Sequence, residues 1–378
     1  MADGALAANR AFLDYQVVAK TKESDVITSF TLAPVGGAAV PFYRPGQYLV
    51  FRLAVNGATV LRNYSLSGDP ANTQVLRVAV KREPAPSGTA WPAGMGSNHL
   101  HDEVEVGDVL SAAGPMGDFV LSEDSERPVA LFSGGVGLTP MVGMLHRLVA
   151  SSSRRVFFIH ACENGKVHAF ADEVLALAGQ RAGVSVHFCY REPTAADMAS
   201  NGFHSQGLIG REQIQAILPL DDYDFYLCGP SPFMQANWRL LRGLGVAKQR
   251  IHYEFFGPAT VLETEDESVP ASLPASKPAN VLQAPFDGAQ ADVQEVCFMP
   301  SGTKIAWSDE CASLLELAEQ AGLSPDFNCR AGLCNTCMST LVSGEVDYFE
   351  SPLDEPPQGR VLLCCSRPVG PVVIELGA

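Results

Sequence analysis

A group of cysteines near the end of the chain has the types and spacing to hold an iron–sulfur cluster. Cys329, Cys334 and Cys337 occur in one loop with C-x4-C-x2-C spacing, and the adjacent Cys364 and Cys365 follow further along the chain. A [2Fe-2S] cluster needs four thiolates around two irons, and one tight loop can supply three of them. Small residues between the cysteines allow backbone N–H groups to face the sulfurs, which raises the reduction potential. The spacing therefore predicts a one-electron redox centre.

Two alternatives to this interpretation are a structural zinc site and cysteines that lie close by chance. Zinc sites prefer paired short spacings, whereas this loop has three cysteines with a wider first gap. We therefore favour the cluster. The other cysteines, Cys162, Cys189, Cys297 and Cys311, are expected to be small buried residues.

A second group of residues could bind a flavin. In the R-x-Y-S segment, Arg62 could clamp a phosphate, Tyr64 could pack on the isoalloxazine and Ser65 could reach its N5 edge. Alone, so short a pattern is typical of a surface arginine beside a core tyrosine. A glycine-containing turn at 94–98, ahead of a short helix, adds backbone donors suited to a pyrophosphate.

A third group could bind a dinucleotide. The glycine-rich segment 133–140 follows a predicted strand and opens a predicted helix, so a diphosphate could approach the helix N-terminus closely. Thr139 suits the N-cap and Pro140 the first helical position. The segment departs from G-x-G-x-x-G and is only suggestive by itself. Cys228 ends a later strand, where α/β sheets bind ligands, although a buried structural thiol is the alternative.

The elements that would position these residues lie in three stretches of the chain that differ in sequence pattern. Residues 12–120 alternate in polarity between turn residues, with strands predicted at 47–53, 63–66 and 74–80, which indicates an antiparallel barrel or sandwich. From residue 128, strands at 129–132, 156–160, 184–190 and 225–228 alternate with helices, including 141–150 and 169–177, which indicates a parallel α/β sheet. Past residue 293 we predict a hairpin at 293–299 and 303–307 and a helix capped by Ser308 and stopped by Gly322.

Composition and charge limit the possible partners. The chain has 378 residues, of which 47% are hydrophobic and 18% charged, as is typical of a soluble globular protein of two to three domains. The net charge of −16 disfavours nucleic acid and anionic membranes as partners. From residue 286 onward, 14 acidic residues face 4 basic ones, which serves either solubility or steering toward a basic protein. No apolar run could span a membrane and no signal peptide is visible, so we expect a cytoplasmic protein.

The motifs together resemble the ferredoxin–NADP reductase superfamily over residues 14–262, and specifically the reductase half of bacterial flavohaemoglobins. The strings that carry this resemblance lie at 42–48, 62–67, 79–83, 97–101, 117–119, 135–141, 163–173, 225–230 and 251–258. Residues 293–376 resemble plant-type ferredoxins. The order flavin, nicotinamide, ferredoxin is similar to that of phthalate dioxygenase reductase and of the reductase of hybrid-cluster protein.

We therefore expect a multidomain chain of an antiparallel flavin-binding β-barrel, an α/β nicotinamide-binding domain with a parallel sheet and an α+β ferredoxin-like domain of the β-grasp type. The expected boundaries are 10–124 for the FAD domain, 125–257 for the NAD(P) domain, 258–287 for a linker and 288–378 for the [2Fe-2S] domain. The linker is acidic and contains prolines, and this composition favours a flexible connection.

The resemblance also implies site residues. The flavin site would contain Arg62, Asn63, Tyr64, Ser65, Val80, Lys81, Glu83, Gly96, Ser97 and Asn98, covered by Glu254, Phe255, Phe256, Gly257 and Pro258. The nicotinamide site would contain Gly134, Gly135, Val136, Gly137, Leu138, Thr139, Cys228, Gly229 and Pro230. Ser65, Cys228 and Glu254 would act in catalysis. The string 362–367 is similar to a ferredoxin ending in which the first cysteine is the ligand, so the cluster ligands would be Cys329, Cys334, Cys337 and Cys364.

These resemblances imply an NADH-dependent oxidoreductase that passes electrons from FAD to its own [2Fe-2S] cluster and then to an external protein. FMN remains the alternative flavin, and NADH is preferred because no basic cluster stands near 190–192. The acceptor would be a Rieske-type or other iron oxygenase component with a basic docking face. The alternatives are a reductase of hybrid-cluster protein and a redox sensor without steady turnover. We expect no nitric oxide dioxygenase activity, because few residues precede the flavin domain and leave no room for a globin.

Overall fold

The computed structural model describes residues 11–85, 94–256, 294–308, 311–323, 325–327, 330, 332–333 and 335–376. The chain divides into two compact units, Met1–Ala259 and Thr260–Ala378. Within the described residues, the first unit holds an antiparallel sheet and a parallel sheet, and the second holds a mixed sheet. None of the helices in these ranges is long and apolar enough to cross a membrane.

The first sheet is an antiparallel barrel, as the alternating pattern predicted. Its strands are β1 (Phe12–Lys22), β2 (Ile27–Pro34), β3 (Tyr48–Val55), β4 (Ala58–Ser65), β5 (Leu76–Lys81) and β6 (Val109–Met116), in the order β4-β3-β6-β1-β2-β5. An isolated bridge between Leu66 and Val78 joins the two edge strands and closes the sheet. The end of β4, which carries the R-x-Y-S segment, therefore lies beside β5.

Alternating burial explains why these segments are strands. In β1, Tyr15 and Val17 are fully buried, whereas the intervening Gln16 is exposed. A period of two places one side chain in the core and the next in solvent. Helix α1 (Met95–Asp102) packs on this barrel and buries Leu100 in the same core as Phe51. The helix thereby brings the predicted pyrophosphate turn to the barrel.

The second sheet is parallel, as predicted. Its strands are β7 (Val129–Gly134), β8 (Val156–Cys162), β9 (Val184–Tyr190), β10 (Ser205–Gln206), β11 (Asp224–Gly229) and β12 (Ile251–Phe255), in the order β10-β9-β8-β7-β11-β12. All residues of β7 and β11 are buried, as in central strands covered on both faces. The chain runs outward from β7 in one direction and then from β11 in the other. The carboxyl ends of β7 and β11 therefore form a switch point, where such sheets bind ligands.

The helices of this half connect the parallel strands. They are α2 (Leu138–Ser151), α3 (Ala171–Gly179), α4 (Ala195–Ser200), α5 (Arg211–Ile217) and α6 (Ser231–Gly243). The prediction of Thr139 as the N-cap of α2 is wrong, because the helix begins at Leu138 with Gly137 as its N-cap. The Thr139 hydroxyl donates to the Val136 carbonyl instead, 3.1 Å away. A short 3₁₀ turn over Gly135–Gly137 precedes the helix and moves its start toward β7.

The second unit contains a mixed sheet with one α-helix among its described residues, consistent with the ferredoxin-like α+β fold. The strands are β13 (Glu295–Met299), β14 (Thr303–Ala306), β15 (Met338–Tyr348), β16 (Arg360–Leu362) and β17 (Ser366–Glu375), in the order β14-β13-β17-β15-β16. Strands β13 and β17 pair in parallel, and the other pairs are antiparallel. The cap of helix α7 (Leu314–Gln320) is Ser313, whose hydroxyl accepts from Glu316 N, so the prediction of Ser308 is wrong.

Several predicted features lie outside the described residues. These are the linker at 258–287, Gly257 and Pro258 of the flavin site, and the cluster ligands Cys329 and Cys334. The domain boundaries at 124, 257 and 287 remain predictions.

Candidate functional site

The three predicted catalytic residues come together from three strands of the first unit. Ser65 ends β4 of the barrel, Cys228 lies near the end of β11, and Glu254 lies in the edge strand β12. Cys228 and Glu254 are direct neighbours across the β11–β12 pairing. The Ser65 side chain hydrogen-bonds the Glu254 carboxyl group. The barrel and the parallel sheet thus meet at this polar contact.

Glu254 is electrostatically unusual. Burial raises the pKa of its carboxyl group to about 8, and the hydrogen bond from Ser65 opposes the shift only in part. The residue retains some exposure, but its Oε2 atom is buried and has no hydrogen-bond partner within the described chain. A buried polar atom without a partner is costly, so this oxygen fits a site that a polar ligand completes. The arrangement is compatible with a flavin bound at this contact.

Cys228 is completely buried, and burial raises the pKa of its thiol well above the ordinary value. The negative charge of Glu254 adds to this shift. A thiol in such surroundings stays protonated and is not a nucleophile. Its chemistry at this position is therefore packing and orientation rather than covalent catalysis.

The glycines after β7 are required by close backbone approach. A Cβ atom on Gly137 would clash with the carbonyl group of Cys228, and one on Gly134 would lie 2.8 Å from the Phe233 ring. Gly229 is similarly crowded by Phe233. The structure therefore brings the glycine-rich segment against the Cys228-Gly229-Pro230 segment at the switch point. Phe233, at the start of α6, closes this contact and was missed by the sequence analysis, since an aromatic residue in a helix carries no distinctive signal.

The other residues of the glycine-rich segment contribute backbone groups to the candidate site more than side chains. Gly135 adopts a left-handed φ of 54° with open space around its Cα, and Val136 is half-buried. Leu138 and Thr139 are buried in the first turn of α2. Their N–H groups stand at a helix N-terminus, where anions bind favourably.

The predicted pyrophosphate turn is tied to the end of β5. The Asn98 side chain donates to the Glu83 and Gly94 carbonyls at 3.0 and 2.9 Å, and the Ser97 hydroxyl accepts from Glu83 N at 3.3 Å. A Cβ on Gly96 would lie 2.9 Å from Arg62 Cγ, so the arginine stem packs directly on that glycine. Arg62 itself stays exposed and donates to the Leu61 carbonyl at 2.7 Å.

The remaining predicted flavin residues lie in the barrel strands β4 and β5 and at the end of β12. Tyr64 is half-buried, meets the Phe51 ring edge-on at 5.6 Å, and has its pKa raised by burial. Lys81 pairs with Glu83 at 3.1 Å. The other residues are Asn63 opposite Val50 on β3, Val80 with its carbonyl bonded to His101, Phe255 beside Tyr253, and Phe256 against the core of the parallel sheet.

An ion pair occupies the carboxyl ends of β8 and β9. Glu163 and Arg191 follow these strands, and Arg191 Nη2 lies 2.9 Å from Glu163 Oε1. Glu192 adds a second carboxylate at 3.9 Å from the same guanidinium. Two backbone bonds, from Arg191 N to Cys162 O and from Glu192 N to Glu163 O, hold the two segments together. The guanidinium therefore lies beside two carboxylates.

In the second unit, two of the predicted cluster ligands are brought together. Cys337 and Cys364 are buried, and the pairing of Met338 with Leu362 places their segments side by side. The Gly332 N–H donates to Cys364 Sγ at 3.2 Å. Among the described residues no cysteine forms a disulfide. Buried thiols with a backbone N–H aimed at sulfur fit the donor set of an iron–sulfur cluster.

Three family models match successive parts of the chain. An oxidoreductase FAD-binding domain matches residues 14–121, an oxidoreductase NAD-binding domain matches 131–238, and a 2Fe-2S iron-sulfur cluster binding domain matches 298–369. These domains account for the barrel, the parallel sheet and the mixed sheet in that order.

Relatives and solved structures agree with this division. A flavohemoprotein of Bacillus thuringiensis subsp. konkukian is 44% identical over 67% of this chain and 62% of its own length, so the chain spans less than two thirds of that relative. The flavohem-like FAD/NAD-binding domain of nitric oxide dioxygenase from Vibrio cholerae O1 biovar El Tor is 41% identical, with a TM-score of 0.57, over 65% of this chain and 99% of that one. Phthalate dioxygenase reductase is 25% identical, with a TM-score of 0.55, over 97% of this chain and 98% of that one.

Proposed function

Because this chain belongs to the ferredoxin–NADP reductase superfamily, with a flavohemoprotein-type FAD- and NAD-binding module followed by a 2Fe-2S domain, we propose that it passes electrons from NADH through FAD and a [2Fe-2S] cluster to a separate protein. The observation that best supports this proposal is the contact of Ser65 with Glu254 beside Cys228, where the flavin half meets the nicotinamide half. Similarity to phthalate dioxygenase reductase, a modular structure for electron transfer from pyridine nucleotides to [2Fe-2S], supports the same order of transfer.

When bound, FAD accepts a hydride and releases electrons singly, and the cluster carries one electron at a time. In this proposal, Ser65 and Glu254 orient the reacting edge of the flavin through their shared hydrogen bond. Glu254 has a pKa of about 8 and is protonated near neutral pH, so its neutral carboxyl group can donate a proton or a hydrogen bond. The nicotinamide would lie at the switch point, where the glycines at 134 and 137 pack against the buried Cys228-Gly229 segment.

The proposed preference for NADH rests on Glu163 and Arg191. An arginine at the end of a strand is suited to the 2′-phosphate of NADPH, whereas an acidic residue suits the ribose hydroxyl of NADH. Here the guanidinium is neutralised by Glu163 at 2.9 Å and approached by Glu192 at 3.9 Å. A further phosphate would meet two carboxylates and one cation.

We place the docking surface for the acceptor next to the cluster loop. Leu353 N donates to the Gly332 carbonyl at 2.9 Å, so segment 349–355 packs against the loop that precedes Cys337. Acidic side chains are frequent in this part of the chain, and Glu345, Glu350 and Glu355 are exposed. This charge supports an acceptor with a basic docking face, and an iron oxygenase component is the proposed class.

The proposal is tested by NADH oxidation with two acceptors. Ferricyanide can take electrons from the flavin, whereas cytochrome c is a basic protein acceptor. We expect rapid reduction of both by the intact protein, and a Cys337→Ser variant that retains ferricyanide reduction but loses most cytochrome c reduction. Slow reduction of both acceptors by protein with a full complement of flavin would favour a sensor over an electron-transfer enzyme.

A further inference from the structure

A mostly buried ion pair joins the two halves of the first unit. Arg77 in β5 of the barrel donates through Nη1 and Nη2 to the two carboxylate oxygens of Glu173 in α3, each at 2.8 Å. Glu173 Oε1 also accepts from His146 Nε2 in α2 at 2.7 Å. The Arg77 and Glu173 side chains are only 20% and 26% exposed. Bidentate pairs of this kind fix geometry more strictly than exposed pairs do.

The remaining contacts of Arg77 are also specific. Its Nη2 donates to the Ser67 carbonyl at 2.6 Å, and its Nε donates to the Ser67 hydroxyl at 3.3 Å. The guanidinium lies 4.6 Å from the centroid of the Phe170 ring, and Phe170 is the N-cap of α3 with a left-handed φ of 58°. Burial opposes ionisation of Glu173, but hydrogen bonds from His146 and Arg77 outweigh it and lower the pKa of the carboxyl to about 2. The pair is therefore charged at working pH.

This contact lies close in the chain to the residues proposed for hydride transfer. Ser67 is two residues beyond Ser65, and Leu66 between them forms the bridge that closes the barrel. On the other side, a Cβ on Gly143 of α2 would lie 2.9 Å from the Leu66 carbonyl oxygen. The helix therefore packs closely against the backbone at Leu66. The same helix α2 begins at the glycine segment proposed for the nicotinamide. Arg77 and Glu173 thus fix the strand carrying Ser65 against the helix that carries the nicotinamide site.

We propose that Arg77 and Glu173 are positioning residues for hydride transfer, which set the distance between the flavin edge and the nicotinamide by joining the two halves. The inference rests on the proposed NADH-to-flavin reaction. Hydride transfer depends steeply on donor–acceptor geometry, and a shift of about 1 Å can cost about 100-fold in rate. Reoxidation of a reduced flavin by ferricyanide requires no bound nicotinamide. Loss of the pair should therefore slow flavin reduction and leave flavin reoxidation unchanged.

The test uses the full-length flavin-loaded protein in anaerobic stopped flow. For Arg77→Met and Glu173→Gln we expect the limiting rate of flavin reduction by NADH to fall about 10- to 100-fold, with a smaller change in the NADH concentration at half-maximal rate. Arg77→Lys, which keeps the charge, should recover part of the rate. Flavin reduced by dithionite should be reoxidised by ferricyanide at the wild-type rate in every variant.

A matched control is Arg155→Met, which breaks an ion pair with Asp221 inside the nicotinamide half alone. It should leave flavin reduction unchanged. In a double-mutant cycle, Arg77→Met combined with Glu173→Gln should slow reduction no more than either change alone. Amide hydrogen exchange should increase at 65–78 and 171–179 in the Arg77 variant and stay unchanged in β9.

The outcomes separate the two proposals. If wild-type flavin is not reduced by NADH, the proposed function fails. If wild-type flavin is reduced quickly and the Arg77 and Glu173 variants reduce it equally quickly, the function stands and the positioning role is overturned. Equal slowing of reduction and reoxidation would also overturn it, because a general loss of structure would then explain the effect.

Discussion

The Ser65 side chain at the end of a barrel strand hydrogen-bonds Glu254 in the edge strand of the parallel sheet, and Glu254 is the lateral neighbour of Cys228. The contact leaves Glu254 Oε2 buried without a partner, and it sets a carboxyl group with a pKa of about 8 at the junction of the two halves. This junction is where we place the reacting edge of the flavin.

The raised pKa of Glu254 predicts a pH-dependent stability. Its pKa is about 8 in the folded protein, against 4.5 for an ordinary glutamate, so between these values the folded protein keeps a proton that the unfolded chain releases. Flavin-free protein should therefore lose stability from this group as pH rises from about 4.5 to about 8. Relative to wild type, Glu254→Gln should gain stability over that window in urea unfolding at pH 5, 7 and 9.

The matched control for this pH series is Glu212→Gln, an exposed glutamate in α5. A Glu254→Gln protein whose stability differs from wild type by the same amount at all three pH values would contradict a buried, protonated carboxyl.

Gly137→Ala should damage the nicotinamide site. The added Cβ would clash with the Cys228 carbonyl, so the glycine segment and the end of β11 must move apart. We expect a loss of about 1–3 kcal/mol in stability, as in other overpacked sites, together with weaker NADH binding measured by the concentration dependence of flavin reduction. Gly179→Ala, where the added atom meets nothing within 4 Å, is the control. Wild-type NADH binding in the Gly137 variant would argue against this segment as the binding site.

Glu163→Gln should shift the coenzyme preference. Removing this carboxylate frees the Arg191 guanidinium for a 2′-phosphate, so NADPH should gain in kcat/KM by about 10-fold relative to NADH, or about 1.4 kcal/mol. Glu123→Gln, which removes the partner of another exposed arginine, Arg147, should leave the ratio unchanged. An unchanged NADPH-to-NADH ratio in the Glu163 variant would show that Arg191 lies away from the coenzyme.

Gly332→Ala should impair the cluster. Gly332 has φ of 66°, and an added Cβ would lie 2.8 Å from Cys365 Sγ while its N–H points at Cys364 Sγ. We expect a lower iron and sulfide content per flavin and a lower reduction potential in the clusters that remain. Gly359→Ala has a similar φ of 78° but nothing within 4 Å, so it separates crowding from backbone strain. Equal iron content and potential in both variants would contradict a cluster held next to Gly332.

Local patterns in the sequence predicted much of this architecture. Alternating polarity indicated the barrel strands, and short apolar runs ahead of glycines located β7 and β11, because these signals depend only on neighbouring residues. The helix caps were less predictable. Thr139 and Ser308 are both good N-cap types, but a 3₁₀ turn starts α2 earlier and the described chain uses Ser313 for α7.

Contacts between distant segments could not be predicted from patterns of neighbouring residues. Arg77 and Glu173 look like ordinary surface charges in the sequence, and only the fold brings a barrel strand against α3. The pairing of Glu163 with Arg191 likewise arises because parallel strands end side by side. Tertiary geometry, rather than residue type, decides which charges act together.

The most direct measurement of the central account is an anaerobic visible spectrum of the purified protein before and after one equivalent of NADH. We expect flavin bands together with a red-brown thiolate–iron absorbance, and both should bleach on addition of NADH. Flavin that bleaches without any cluster absorbance would contradict the cysteine assignment and leave a simple flavin reductase.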